Sequence, residues 1–114
     1  VVEDNEINRE IATFMLESVG IVPTCAINGK EALDKVKEGA YDCILMDVMM
    51  PVMGGLEATR QLRAMGIEIP IIAMSANAFK DDVERSLNAG MNAHLSKPID
   101  EKLLVKTIYK FCKK

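Results

Sequence analysis

Residues 43–55 have the sequence CILMDVMMPVMGG, and this stretch decides the fold class. Its first four residues form a short apolar run, which is typical of a strand buried on both faces of a parallel sheet. Asp47 follows at once, so the sequence predicts its carboxylate at the carboxyl end of that strand. Ligands of open parallel sheets bind outside these strand ends, which makes Asp47 the first candidate functional residue.

Short apolar segments alternate with stretches of helical period along the whole chain. The apolar segments are residues 1–3, 21–27, 42–46, 69–74 and 92–95. The helical spacing is clearest at Ile7, Ile11, Met15 and Val19 and again at Leu56, Thr59, Leu62 and Met65. This alternation predicts an α/β fold, a (βα)5 three-layer sandwich in which these faces cover a parallel sheet. Because Pro23 cannot donate to a strand ladder, the second segment is predicted at an edge, in the strand order 2-1-3-4-5.

Residues that commonly cap helices mark the helix ends. Asn5 is predicted to begin the first helix and Asp100 the last, which is expected to run to about Cys112. The first four helices are predicted to end at Gly20, Gly39, Gly66 and Gly90. No internal repeat or low-complexity linker interrupts the pattern, so one domain over residues 1–114 is expected.

The composition fits one compact domain of 114 residues, with 49% hydrophobic and 27% charged residues. A net charge of -3 and a pI near 5.2 argue against nucleic-acid binding, because a phosphate backbone requires clustered basic residues. The apolar runs are far shorter than the ~20 residues that span a bilayer, so we expect no membrane contact and a cytoplasmic location. The three cysteines, Cys25, Cys43 and Cys112, are predicted to be buried thiols rather than disulfides.

Two further carboxylates are predicted to lie beside Asp47. Glu3 and Asp4 end the first apolar segment, whose strand is expected next to the strand of Asp47. Clustered carboxylates repel one another unless a cation binds or their pKa values rise. Mg²⁺ is the natural candidate, because it prefers one or two carboxylates together with water and a substrate phosphate. An ionised Asp47 can then attack phosphorus and form an acyl phosphate.

Two more polar residues follow strands at the same edge of the predicted sheet. Ser75 ends the fourth apolar segment, and Lys97 follows the fifth. The Ser75 hydroxyl can donate to a phosphoryl oxygen, and the Lys97 ammonium supplies a mobile positive charge for the same group. A single serine after a strand commonly forms a turn, and a single exposed lysine is commonly only solvated, so the prediction depends on the whole set.

Four motifs together resemble the receiver domains of two-component response regulators. They are VVEDN at residues 1–5, ILMDVMMPVMGG at 44–55, MSANA at 74–78 and HLSKPI at 94–99, in the order and at the approximate spacings of that family. The resemblance covers essentially the whole chain and implies a CheY-like, flavodoxin-like fold. Relative to the family pattern, Gly54 replaces a common Asp, and the first strand is expected to be truncated at its N-terminus.

The resemblance assigns roles to individual residues. It implies that Glu3, Asp4 and Asp47 bind Mg²⁺ through their carboxylates and Met49 through its backbone carbonyl, with Mn²⁺ able to substitute. Asp47 is then also the phosphorylation site. The side chains of Met49 and Asn77 occupy the two positions that tune the lifetime of the phosphoryl group.

A second set of implied roles concerns positioning and switching. Ser75 and Lys97 contact the phosphoryl group, and the peptide bond between Lys97 and Pro98 is expected to be cis. When Ser75 moves toward the phosphate, a switch residue swings inward in this family. His94 stands where the family usually has Tyr or Phe, so it is either that switch, with a pH dependence that Tyr lacks, or an ordinary surface group.

The implied function is Mg²⁺-dependent transfer of a phosphoryl group from phosphohistidine to Asp47 in a two-component phosphorelay. The chain most resembles receivers of hybrid sensor histidine kinases, which pass phosphate to a histidine phosphotransfer protein. The alternative is a stand-alone or differently fused response regulator. The domain is expected to catalyse only its own phosphorylation and dephosphorylation, and any kinase activity or membrane anchor would belong to a longer parent protein.

The resemblance also implies a signalling surface and its partners. The surface comprises the fourth helix, the fifth strand and the fifth helix, roughly residues 79–88 and 94–110, through which dimerisation is also expected. The partner is a histidine kinase or a histidine phosphotransfer protein, with no direct contact to nucleic acid.

Three other functions fit the sequence less well. A phosphatase of the haloacid-dehalogenase type needs a second Asp two residues after the nucleophile as general acid, where this chain has Met49. A dinucleotide-binding domain needs a GxGxxG motif after the first strand, which is missing. A degenerate receiver that serves only as an interaction module typically lacks the acceptor, the acidic pair or the lysine, and all of these are present.

Overall fold

The computed structural model describes residues 1–39, 41, 43–48, 53–75, 80–96 and 100–112. Within these residues the chain forms five α-helices and three β-strands. In chain order they are α1 (Glu6–Glu17), α2 (Gly29–Glu38), β1 (Ile44–Asp47), α3 (Gly55–Ala64), β2 (Ile71–Ser75), α4 (Lys80–Ala89), β3 (Ala93–Ser96) and α5 (Glu101–Cys112). None of these helices is long and apolar enough to cross a membrane.

The three strands form a parallel sheet in the order β1-β2-β3. Val2 lies on the other side of β1, where it forms parallel bridges with both Ala26 and Met46. The five apolar segments therefore lie in the order 2-1-3-4-5, and the predicted α/β fold with a parallel sheet is confirmed.

The first two segments are less regular than the sequence predicts. The sequence predicts strands over residues 1–3 and 21–27, but each segment contributes only one bridge residue, Val2 in the first and Ala26 in the second. Pro23 has no N–H to donate, so a continuous ladder cannot form along this outer segment. Backbone hydrogen bonds still hold the two segments together, since the Glu3 N–H donates to the Ala26 carbonyl at 3.0 Å.

The core has two halves, one on each face of the sheet, because successive strand residues point to opposite faces. One half contains Ile44, Met46, Ile71 and Ala73 with Ala32 and Leu33 of α2 and Ala58 and Leu62 of α3. The other contains Leu45, Ile72 and Met74 with Leu16 of α1 and Leu104 of α5. This is the predicted three-layer arrangement. Parallel pairing of β1 and β2, with Asp47 opposite Met74, brings Asp47 and Ser75 to the same edge of the sheet.

The first helix covers the sheet with a different face from the one that the sequence predicts. Ile7 is 67% exposed and Ile11 46% exposed, whereas Ala12 and Leu16 are buried. The small Ala12 side chain allows the helix backbone to approach the sheet, and Leu16 then fills the core half on that face. Of the predicted face, Met15 is partly buried and packs against this core half, but Ile7, Ile11 and Val19 are exposed, so the prediction was wrong for most of that face.

The ends of the helices follow the predicted capping residues. The Asn5 side chain accepts a hydrogen bond from a first-turn amide of α1 at 3.0 Å, and Asp100 caps α5 in the same way at 2.9 Å. After α1 and α3 the chain turns through Gly20 and Gly66, whose φ angles are 84° and 82°. These left-handed conformations favour glycine and explain why the helices end where they do.

The described cysteine side chains are thiols, as predicted. Cys25 and Cys43 are each half-buried, rather than fully buried as the sequence predicts. Cys25 lies near the outer edge of the sheet, where its sulfur is 3.6 Å from the Thr13 hydroxyl. An edge position leaves one side of such a residue open to solvent.

Candidate functional site

Three carboxylates meet at the carboxyl edge of the sheet. Asp47 ends β1 and is only 4% exposed, while Glu3 follows the bridge residue Val2 and is 1% exposed. Asp4 is exposed at the start of the connection to α1. One carboxylate oxygen from each of the three acids lies within 4.8 Å of the others. The structure thus brings together the acidic cluster that the sequence predicts.

Backbone contacts hold Asp47 in place from both sides. Its N–H donates to the Val2 carbonyl at 2.9 Å, which fixes the strand end to the neighbouring segment. The amide of Gly55 donates to the Val48 carbonyl at 3.0 Å, which brings the start of α3 against the same strand end. A Cβ atom at Gly55 would overlap the Asp47 carbonyl oxygen, so only glycine permits this close approach. Gly54 is the N-cap of α3 and, as a glycine, has no side chain that could cap the helix.

Glu3 and its connection to α1 are held by contacts that the sequence does not reveal. The Asn5 N–H donates to Glu3 Oε2 at 3.2 Å. The guanidinium of Arg9 donates through Nη1 to the Glu3 carbonyl at 2.9 Å. Sequence reasoning missed Arg9, and the available signal was only its position one turn after the Asn5 cap. These two contacts hold the side chain and the carbonyl of Glu3, the buried member of the acidic pair.

The donor set fits a hard divalent cation. All three groups supply carboxylate oxygens, which Mg²⁺ prefers over nitrogen or sulfur. Oxygen ligands of one Mg²⁺ lie about 2.1 Å from the ion and therefore about 3 to 4.2 Å from each other. The observed limit of 4.8 Å means that binding requires only a small contraction of the cluster.

The neighbouring strands place further candidate residues beside the cluster. Asp47 pairs with Met74 across the sheet, so the next residue, Ser75, lies at the strand end adjacent to it. Ser75 is buried at 6% exposure. His94 lies on β3, where it pairs with Ala73 and is half-buried. The order Asp47, Ser75 and His94 along the sheet is the arrangement that the sequence predicts.

The remaining predicted site residues lie outside the described part of the chain. They are Met49, Asn77, Lys97 and Pro98. Their assigned roles as carbonyl ligand, lifetime-tuning positions, phosphate contact and cis peptide stay predictions.

A family comparison identifies the kind of domain that this chain forms. Residues 1–109 match the model of the response regulator receiver domain. The chain belongs to the receiver domain family. As in the predicted resemblance, the match extends over both the acidic connection and the strand end of Asp47.

Two relatives of this receiver differ in how much of their length the receiver covers. It is 44% identical over 117 residues to hybrid signal transduction histidine kinase I of Dictyostelium discoideum, covering 95% of this chain and 7% of that protein. It is 42% identical over 115 residues to the two-component response regulator ORR41 of Oryza sativa subsp. japonica, covering 97% of this chain and 91% of that protein. The receiver therefore spans a small fraction of the first relative and nearly all of the second.

Solved structures of similar receivers confirm the CheY-like fold. One is the receiver domain of sensor histidine kinase PA1611 from Pseudomonas aeruginosa, described with a magnesium ion coordinated in the active site cleft. It has a TM-score of 0.91 and 39% identity, covering 99% of this receiver and 94% of that chain. Another is the co-crystal of the Saccharomyces cerevisiae phosphotransfer protein Ypd1 with the receiver domain of Ssk1. It has a TM-score of 0.92 and 32% identity, covering 97% of this receiver and 85% of that chain.

Proposed function

We propose that this receiver is a phosphoacceptor in a phosphorelay and that Asp47 carries the phosphoryl group. The observation that carries the proposal is the buried strand-end carboxylate of Asp47 with oxygens of Glu3 and Asp4 within 4.8 Å. Such a cluster suits a divalent cation and an incoming phosphate in one place. The description of magnesium in the PA1611 receiver supports the choice of Mg²⁺.

The chemistry assigns one step to Asp47. A carboxylate oxygen of Asp47 attacks phosphorus, the P–N bond of a phosphohistidine breaks, and its electron pair returns to the imidazole. Mg²⁺ when bound supplies positive charge that offsets the charge on the transferring phosphoryl oxygens. Glu3 and Asp4 would hold the cation, and Ser75, buried on the adjacent strand, would donate its hydroxyl to a phosphoryl oxygen. Lys97 is assigned the remaining positive contact from sequence.

The donors are restricted to phosphates with good leaving groups. The position two residues after Asp47 is Met49, so the chain has no carboxylic acid there to protonate a leaving alcohol. Imidazole and carboxylate leaving groups depend less on protonation by a general acid. Phosphohistidine proteins and small acyl phosphates are therefore the proposed donors.

The proposed protein partner is a histidine phosphotransfer protein. The Ypd1 complex with a similar receiver supports this choice, and similarity to a hybrid kinase supports a phosphorelay. A protein that presents a histidine to the nearly buried Asp47 has to cover the strand-end edge, where α1 also begins. Ile7, Ile11 and Phe14 are spaced by four and three residues along α1 and are 67%, 46% and 73% exposed. We assign these three residues, the α1 stripe, to docking of that partner.

Signalling after phosphorylation is proposed to pass through Ser75 and His94. These residues lie on adjacent strands, β2 and β3, beside α4 and α5, which form the predicted output and dimerisation surface. Phosphorylation shifts the population of two surface states, for which a differential free energy of a few kcal/mol is enough. If phosphorylation changed no NMR shifts on α4 and α5, this route would be contradicted.

Phosphorylation of the purified chain tests the central proposal. Incubation with acetyl phosphate and Mg²⁺ is expected to add one phosphoryl group, detected by intact mass. The reaction should stop with EDTA and in the Asp47→Asn variant. Asp34→Asn, which removes an exposed carboxylate on α2, is the matched control and should be labelled normally. Labelling that persists in Asp47→Asn would contradict the assignment.

A second architecture remains as the alternative. The response regulator ORR41 is covered at 91% of its length, which supports a stand-alone regulator as well as a hybrid kinase. The two alternatives differ in what surrounds the receiver and not in the proposed chemistry. The full-length coding sequence decides between them.

A further inference from the structure

The side chain of Arg9 turns back from α1 onto the acidic connection. Its Nη1 donates to the carbonyl oxygen of Glu3 at 2.9 Å and, more weakly, to that of Asp4 at 3.4 Å. Both acceptors belong to residues whose carboxylates form the proposed metal site. The phosphotransfer chemistry above gives Arg9 no role, although it is the cation of α1 that contacts this connection.

The connection that Arg9 contacts lies between two fixed points. Glu3 is attached to the sheet through its N–H, which donates to the Ala26 carbonyl at 3.0 Å. Asn5 is fixed as the cap of α1. Asp4 lies between them and is exposed. Arg9 therefore links the part of the site that is otherwise most open to solvent to the body of a helix.

We propose that Arg9 is a positioning residue that fixes the Glu3–Asp4 connection in the geometry that binds the divalent cation, an inference that rests on the proposed function. Mg²⁺ demands near-octahedral geometry, so a small displacement of one ligand weakens binding. Both bonds come from Nη1, whose N–H groups point in directions fixed by the planar guanidinium. Because these bonds end on main-chain oxygens, they leave the carboxylate oxygens to the cation.

The charge of Arg9 gives the proposal a diagnostic sign. A positive charge beside the site repels an incoming cation, so removal of the charge alone would strengthen Mg²⁺ binding. Loss of positioning has the opposite effect, because the carboxylates then have to be ordered when the metal binds. A weaker affinity after removal of Arg9 therefore reports positioning and not electrostatics.

Metal titration of Arg9 variants tests the proposal. Mg²⁺ is titrated into the wild-type chain, Arg9→Ala and Arg9→Lys, and the dissociation constant is obtained from backbone amide NMR shifts. Arg9→Ala is expected to bind Mg²⁺ about tenfold more weakly, the range for loss of groups that orient metal ligands. Arg9→Lys, which keeps the charge and one donor group, is expected to lose only about threefold. Lys37→Ala removes a positive charge from an exposed site on α2 and should leave the affinity unchanged.

A second readout separates positioning from general stability. The Asn5 N–H donates to Glu3 Oε2, so its hydrogen exchange without metal is expected to accelerate in Arg9→Ala. Amides of β2 should exchange as in the wild type. If Arg9→Ala does not fold, the loss of Mg²⁺ affinity in Arg9→Lys tests the same proposal.

The titration distinguishes failure of the role of Arg9 from failure of the proposed function. A wild-type or tighter Mg²⁺ affinity in Arg9→Ala, or an equal loss in Lys37→Ala, would overturn the role of Arg9 and leave the proposed function intact. A wild-type chain that binds no Mg²⁺ would contradict the proposed function itself.

Discussion

The guanidinium of Arg63 donates two hydrogen bonds to the carbonyl oxygen of Gly90, through Nε at 3.0 Å and through Nη2 at 2.8 Å. The same side chain also donates to the Ile67 and Ile69 carbonyls and to Asn92 Oδ1, each at 2.9 Å. Burial lowers the pKa of Arg63, an effect that Glu68 opposes, but arginine keeps its charge in proteins. One side chain thus joins the end of α3 to the turn after α4, at the edge of the sheet opposite the acidic cluster.

Replacement of Arg63 is expected to lower stability without touching the phosphoacceptor site. Arg63→Lys leaves a single ammonium that cannot reach all of these acceptors, so the free energy of unfolding should fall by about 2 to 3 kcal/mol. Urea unfolding followed by circular dichroism measures the change. Arg60→Lys is the control, because its side chain is 58% exposed and should shift stability by no more than about 0.5 kcal/mol. Equal losses in the two variants would show that the hydrogen bonds of Arg63 contribute little.

Addition of one methyl group at Gly55 is expected to disturb the acceptor itself. In Gly55→Ala the new Cβ overlaps the Asp47 carbonyl and lies 3.0 Å from the Val48 Cα, so the strand end has to move. We expect a loss of stability of about 1 to 3 kcal/mol, together with slower labelling by acetyl phosphate. Gly39→Ala is the control, since its Cβ would lie at an ordinary 3.4 Å from the Tyr41 ring and φ there is -140°. Normal stability and labelling in Gly55→Ala would contradict the close-approach argument.

Truncation of the α1 stripe is expected to slow phosphoryl transfer from a protein donor and to leave transfer from a small phosphodonor unchanged. The double variant Ile7→Ala, Phe14→Ala removes exposed apolar surface, so transfer from phosphorylated Ypd1 should slow by roughly tenfold or more through weaker binding. Labelling by acetyl phosphate should stay at the wild-type rate, because Asp47 is unchanged. Tyr109→Ala on α5, which removes a 58% exposed ring, is the matched control. A larger defect in Tyr109→Ala would assign the docking surface to α5 instead.

Much of the fold could be predicted because it depends on local pattern. The apolar run before Asp47, the Asn5 and Asp100 caps and the glycine after α1 each act within a few residues, and each has its predicted role. Strand order could be predicted because Pro23 indicates that its segment lies at an edge of the sheet. The acidic cluster could also be predicted, since the carboxyl ends of parallel strands meet at one edge.

The prediction from sequence failed where the packing of one surface on another decides the structure. Helical spacing identified α1 as amphipathic, but Ile7 and Ala12 lie on different faces and both are apolar. Which face meets the sheet depends on how closely the helix backbone can approach, and that is a property of the packed layers. Spacing alone therefore gave the wrong face of α1.

The sequence by itself determined the order of elements, their caps and the clustering of the Asp47, Glu3 and Asp4 carboxylates, because these follow from periodicity and from residue type at strand ends. Only the tertiary structure decided which face of α1 is exposed and which main-chain carbonyls Arg9 and Arg63 contact. A long flexible side chain can reach any carbonyl within several ångströms, so its partner is set by packing in three dimensions. The sequence pattern does not specify the distance between such a side chain and its carbonyl partner.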